Sequence, residues 1–247
     1  MSLERQTAEE PLLRVEGLVK RFGGFRALDG LSFHLMPGEI LGLVGPNGSG
    51  KTTCINVLSG LYPPDGGALT YAGREIGGLK SHRLVHLGIN RTFQVPKPFL
   101  TLSVMENVEV AATYGGARRS AADIAGLLAA LELDGQAARP AAELNSVQQK
   151  MLDLARALAT GPRLLCVDEL AAGLNPAELD RVAVRLRALA SSGVALLVVE
   201  HLMGFIDQVT DRVIVLNAGR EIFEGVLADA VRDRQVVEVF LGTDDGG

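Results

Sequence analysis

An α/β fold, with a largely parallel sheet, a smaller antiparallel β lobe and an inserted helical subdomain, is what three features of this 247-residue chain predict. The first is a glycine-rich loop at 45–52, set between a short apolar strand and a segment with apolar residues at helical spacing. The second is strand–helix alternation from about residue 160 onward, the pattern of strands that pair in parallel through helical crossovers. The third is a change of character along the chain: β-like stretches and turn signals before residue 95, then an Ala- and Leu-rich block that reads as helix. The expected division is 1–95 with 160–247 as the core and its antiparallel lobe, and 96–159 as the helical insertion.

Taken in order, the first ten residues are expected to form a mobile arm. Leu12–Val15 and Leu31–Leu35 are β-like, with a turn at Gly23-Gly24. Glu39–Val44 is the strand into the glycine loop and Thr52–Ser59 the helix out of it. Pro63-Pro64-Asp65-Gly66-Gly67 is a turn, and strands follow at Ala68–Tyr71 and Leu87–Phe93. Pro96 and Pro98 then break the chain before helices at Ser103–Thr113, Ser120–Leu133 and Val147–Ala159. Strand Leu164–Val167, helix Pro176–Leu189, strand Val194–Val199, helix Leu202–Gln208 and strand Arg212–Leu216 come next. A turn at Asn217-Ala218-Gly219 and two helical pieces end the chain.

Composition narrows the function classes. A formal net charge of −5 with no Lys/Arg block leaves no electrostatic footprint for nucleic acid. No apolar run approaches the roughly 18 residues that span a bilayer. The charged N-terminus lacks the apolar core of a signal peptide, so the chain is expected to stay in the cytoplasm. Cys54 and Cys166 lie in apolar surroundings and read as small core residues, and the four histidines show no zinc spacing.

Gly45-Pro46-Asn47-Gly48-Ser49-Gly50-Lys51-Thr52 matches the phosphate loop G-x-x-x-x-G-K-[ST], in the strand–loop–helix context that the motif requires. Its glycines let successive N–H groups, those of Asn47, Gly48, Ser49 and Gly50 among them, turn inward around a phosphate at a helix N-terminus. Thr53 follows in the first turn. Lys51 is placed to reach the β- and γ-phosphates, and the Thr52 hydroxyl to ligate Mg²⁺. A P-loop NTPase core follows. Leu164–Val167 ends in Asp168 and Glu169, suited respectively to hold the metal through its water shell and to polarise an attacking water. A second apolar strand ends in Glu200-His201, and a histidine there can donate to the γ-phosphate.

Together these residues resemble the ATP-binding subunit of an ABC (ATP-binding cassette) transporter, over nearly the whole chain. The resemblance implies that Gln94, in Arg91-Thr92-Phe93-Gln94, senses Mg²⁺ and the attacking water, and that Phe22 stacks on adenine. It makes Ala171-Ala172-Gly173-Leu174-Asn175-Pro176 the D-loop region, although Asn175 as N-cap and Pro176 as first helical residue account for the same letters. The D-loop segment, the Gln94 segment and Phe240-Leu241-Gly242 look most like importers of branched-chain amino acids, a pattern that amide and urea importers share in part. Such a subunit sits peripherally on the cytoplasmic face of the cell membrane. It pairs with a second ATPase subunit, identical or not. It serves transmembrane permeases and, through them, an extracytoplasmic solute-binding protein.

The chain departs from the family at its signature, Leu-Ser-Gly-Gly-Gln, which aligns with Leu144-Asn145-Ser146-Val147-Gln148. In the family this segment meets ATP held by the other subunit, so Asn145 and Gln148 are the candidate contacts here. Asn145 can still donate from its amide, but Val147 sets a β-branched side chain where bare backbone would approach phosphate. Ser146 and Gln149 match a capping box, so the helix start is expected to survive while its phosphate-reading role weakens. Leu170 stands where the family usually has proline. The rival readings are a soluble ABC ATPase and a nucleotide-gated regulatory subunit with weak hydrolysis.

Overall fold

The computed structural model describes residues 10–241; most of the expected N-terminal arm, together with Gly242, lies outside the described residues. Strands β1 (Leu13–Phe22) and β2 (Phe25–Leu35) form a hairpin through Gly23-Gly24. With β4 (Gly66–Tyr71) and a short β5 (Arg74–Glu75) they make an antiparallel sheet in the order β2-β1-β4-β5. The second sheet has six strands: β3 (Ile40–Val44), β6 (Ile89–Arg91), β7 (Leu164–Asp168), β8 (Ala195–Val199), β9 (Arg212–Asn217) and β10 (Arg220–Gly225). Its order is β10-β9-β3-β8-β7-β6, parallel throughout except for the β9–β10 edge.

The helices are α1 (Lys51–Leu58), α2 (Ser81–Leu87), α3 (Val104–Tyr114), α4 (Ala121–Ala130), α5 (Ser146–Ala159), α6 (Pro176–Ser191), α7 (Met203–Val209), α8 (Leu227–Ala230) and α9 (Arg234–Leu241). Among the described residues, no helix is long and apolar enough to cross a membrane.

Both faces of the parallel sheet are covered, which is why its central strands are continuous apolar runs. Successive residues alternate between two cores. Ile40, Leu165, Val167, Leu196, Val198, Val213 and Val215 pack toward α3–α7. Leu41, Leu43, Leu164, Cys166, Leu197, Val199, Ile214 and Leu216 pack toward α1 and the antiparallel lobe. The first core runs without a break into the helical segment through Val104, Val108, Leu128, Leu152 and Leu154. Cys54 and Cys166 are buried in the second, and burial pushes both thiols well above the ordinary range.

Four local expectations are corrected. The strand expected at Leu87–Phe93 is confined to Ile89–Arg91, because α2 runs to Leu87 and Gly88, at φ 95°, ends it in a left-handed turn. The stretch after Asn217 is not wholly helical: Ala218 (φ 46°) and Gly219 (φ 79°) form a two-residue hairpin turn into β10. The predicted helix from Ser120 ends at Ala130. The capping box of α5 is one residue earlier than expected: Asn145 Oδ1 accepts from the Gln148 N–H (2.8 Å) and Gln148 Oε1 from the Asn145 N–H (3.1 Å). Asn145 wins because an N-cap must be extended (φ −70°, ψ 171°), and Ser146 is already the first helical residue.

Candidate functional site

The sheet order delivers the site. β6, β7 and β8 are parallel neighbours, and the chain leaving their C-terminal ends carries Gln94, Asp168-Glu169 and His201. The adjacent β3 ends in the glycine loop. This is the edge at which open α/β sheets bind ligands.

Two glycines of the loop admit no other residue. A Cβ on Gly45 (φ 147°) would lie 2.2 Å from the Leu216 carbonyl oxygen, and one on Gly50 (φ 111°) 2.5 Å from that of Ala27. Gly50 caps α1 without any side-chain hydrogen bond, whereas α3, α4, α5 and α6 each begin with a capping box. The first-turn N–H groups of α1 are therefore left for an anion. Lys51, 5% exposed, donates to the carbonyls of Gly45 (2.8 Å) and Pro46 (2.9 Å) and to Ser49 Oγ (3.5 Å), folded back over the loop. Burial lowers its pKa, opposed by the charges of Glu169 and Asp168.

A cleft of about 250 Å³ opens over this loop. Asn47, Gly48, Gly50, Lys51, Thr52 and Thr53 line one side, Phe22 and Phe25 another, and Glu169 and His201 complete it. Gly45 and Ser49 are buried beneath it. Phe22 makes an edge-on contact with Tyr62, ring centroids 5.2 Å apart, and keeps 44% exposure. Phe25, across the hairpin turn and 60% exposed, is a second aromatic that sequence reasoning passed over, although its place beside Gly23-Gly24 was the available signal.

Glu169 is bracketed. Its Oε2 accepts from Gln94 Nε2 at 2.5 Å and its Oε1 lies 2.9 Å from His201 Nε2. Its backbone is left-handed, φ 49°, a conformation that costs a non-glycine residue about 1–3 kcal/mol and persists only where surroundings enforce it. Asp168 is nearly dry, and burial raises its pKa against the opposing charge of Arg91. One of its oxygens, Oδ2, accepts from Arg91 at 3.3 Å, while Oδ1 is buried without a hydrogen-bond partner. A buried carboxylate oxygen left unpaired is costly, so a hydrated divalent cation beside the Thr52 hydroxyl fits this donor set. Arg91, whose side chain is 9% exposed, also bonds Asn56 of α1 and thus ties the helix behind the loop to β7. It was read only as part of a motif; its burial had no sequence signal.

Asn145 and Gln148 do not join this cleft. With Val147, Arg181 and Arg185 they line a separate one of about 180 Å³ at the start of α5. Asn175 caps α6 through Glu178 with Pro176 at its first turn, the arrangement that helix physics alone predicts.

Known proteins share this architecture. The ABC transporter family matches residues 28–172. The high-affinity branched-chain amino acid transport ATP-binding protein BraF of Pseudomonas aeruginosa is 35% identical over 251 residues, covering 94% of this chain and 98% of the relative. The corresponding LivG protein of Escherichia coli (strain K12) is 34% identical over 253 residues, covering 94% and 98%. A nucleotide-free ATP-binding cassette from an ABC transporter superposes with a TM-score of 0.86 at 30% identity, covering 94% of this chain and 100% of that one. An ADP-bound cassette of the same kind gives 0.86 at 31%, covering 94% and 99%. By motif, fold and near full-length similarity, the chain belongs to the ABC transporter family, as a nucleotide-binding ATPase subunit.

Proposed function

We propose that this subunit binds ATP with Mg²⁺ in the phosphate-loop cleft and hydrolyses it to energise a membrane importer of branched-chain or other hydrophobic amino acids. The observation that carries the reading is the bracketing of Glu169 by Gln94 and His201 beside an uncapped phosphate loop. Mg²⁺ would be held by Thr52, by Asp168 through water and by Gln94, and would supply charge for the β- and γ-phosphates. The loop amides orient the triphosphate, and Phe22 with Phe25 offers aromatic faces to adenine. Lys51 exchanges its carbonyl partners for phosphate oxygens. Glu169 orients and polarises the attacking water, while His201 donates to the γ-phosphate. The solute class rests on the relatives' names together with the likeness of the Gln94 and D-loop segments to that importer branch.

In this reading two such subunits meet head to tail, each signature facing the other's ATP, with the 96–159 helical segment turned to the permeases. Exposed Phe93 and Tyr114 line a groove of about 290 Å³ beside the Gln94 segment, and exposed Phe99 packs against Arg156 of the same groove, 5.4 Å from guanidinium carbon to ring centroid. An exposed apolar patch of this kind marks a partner surface. Its closeness to Gln94 offers a route from nucleotide to permease. The subunit would then sit at the cytoplasmic face of the membrane, held by the permeases.

Two tests apply. Lys51→Ala should weaken ATP binding about ten- to a hundredfold, the value of one charge-assisted hydrogen bond; unaltered affinity in calorimetry contradicts the assigned loop. Tyr114→Arg should abolish co-purification with the membrane subunits while ATP binding by the isolated chain stays within about twofold. Undiminished co-purification would remove the groove from the docking surface.

A further inference from the structure

Glu169 owes its place to a turn that nothing in the covalent chain fixes, since residues 170–172 are Leu-Ala-Ala, with neither proline nor glycine. Two charged side chains from elsewhere hold it. Lys150, in the second turn of α5, donates from Nζ to the carbonyl oxygens of Glu169 (2.9 Å), Leu170 (3.3 Å) and Ala172 (2.6 Å). From the other side, Glu200 at the end of β8 accepts the Ala171 N–H on Oε1 at 2.6 Å. The Glu169 N–H donates to the Val199 carbonyl at 2.9 Å, so the turn is also hung on β8.

These partners are expensive to bury. Glu200 is 2% exposed, and burial pushes its carboxyl up to about 7, opposed by the Ala171 hydrogen bond and then by the Lys150 charge. Burial likewise lowers Lys150, while the charges of Glu200 and Glu169 raise it. A short aliphatic pair would fill the space without that desolvation. What the charged pair adds is directional: charge-assisted hydrogen bonds to one backbone group on each of the residues 169–172, in a turn that starts from the left-handed Glu169.

Given the reading of Glu169 above, we propose that Lys150 and Glu200 are positioning residues for hydrolysis, holding the 169–172 turn so that the Glu169 carboxylate stays between Gln94 and His201. Lys150 also joins the first turns of α5, which carry Asn145 and Val147, to the backbone beneath Glu169. A residue that only stabilised the fold would lower the melting temperature and the amount of active protein. A positioning residue lowers kcat per active site, because misplacing a reacting group by about 1 Å costs about a hundredfold.

The assembled transporter carrying Lys150→Met should lose about ten- to a hundredfold in kcat for ATP, with KM and ATP affinity within about twofold of wild type. Lys150→Arg, which keeps a cation and its donors, should recover most of the rate. In a Glu169→Gln background, Lys150→Met should lower the residual rate no further, since there is no carboxylate left to place. Glu200→Ala approaches the same turn independently and should show the same split of kcat from KM, which keeps the test open should Lys150→Met prove unstable. Wild-type kcat in both variants, an effect on KM alone, or an equal further loss in the Glu169→Gln background would overturn the proposal. If Glu169→Gln itself leaves turnover unchanged, the fault lies in the reading of Glu169.

Discussion

Glu169→Gln in the assembled transporter should lower ATP turnover by about 10²–10⁴-fold, the range of a lost general base, while ATP affinity stays within a few-fold. The substitution is nearly isosteric, so the strained turn and the Lys150 contacts beneath it, which use backbone carbonyls, persist. What changes is the acceptor set. The carboxylate has two acceptor oxygens and both are engaged, by Gln94 Nε2 and His201 Nε2. An amide has one, so it holds only one of these partners as an acceptor and cannot draw a proton from water. The loss must therefore fall on kcat. Single-turnover hydrolysis with calorimetric ATP binding separates the two quantities. Turnover within threefold of wild type removes Glu169 from the chemistry; a collapse of affinity shows that it supports the loop instead.

The parts of this molecule that could be read in advance are those in which a letter carries its own physics. The phosphate loop is one, because Gly45 and Gly50 occupy positions that any Cβ would close. The parallel strands are another. Buried on both faces, Leu164–Asp168 and Ala195–Val199 have no polar alternation to confuse the reading, and their expected limits differ from the observed ones by a single residue. β10 was hidden because its turn uses Ala218 at φ 46°, where asparagine or glycine would have signalled a hairpin. α2 was hidden because Lys80 precedes it without a capping side chain.

The candidate site was partly legible for a similar reason. Asp168, Glu169 and His201 each end an apolar strand, so a shared edge could be inferred. That Glu169 contacts both Gln94 and His201 is a matter of strand order, β6 beside β7 beside β8, which no local pattern encodes. Lys150 carried no signal, since its partners are main-chain carbonyls that have no letter of their own.

Reverting the two altered phosphate-facing positions of the signature with Val147→Gly and Asn145→Ser should raise ATP turnover of the assembled transporter by about ten- to a hundredfold for each hydrogen bond regained to phosphate, each worth about 1.5–3 kcal/mol. The two helix starts proposed to face nucleotide differ in kind. α1 presents open N–H groups behind Gly50, whereas α5 is closed by its own side chains, Asn145 and Gln148 having satisfied each other's backbone N–H. Val147, half-buried beside Met151 in the smaller cleft, adds bulk at the position next to those groups. Serine at 145 keeps a cap, so the helix survives, and glycine in place of valine at 147 costs about 0.5 kcal/mol or less in propensity, visible as at most a small fall in melting temperature. A second measurement tells which ATP is affected. If the partner ATPase is a different chain, the gain should require the partner's phosphate-loop lysine and survive Lys51→Ala here, because in the proposed head-to-tail dimer this signature faces the partner's nucleotide. If the partner is a second copy, Lys51→Ala removes the gain with the rest of the activity. A double variant that folds, assembles and turns over ATP no faster than wild type would show that Asn145 and Val147 read phosphate as well as the residues they replaced.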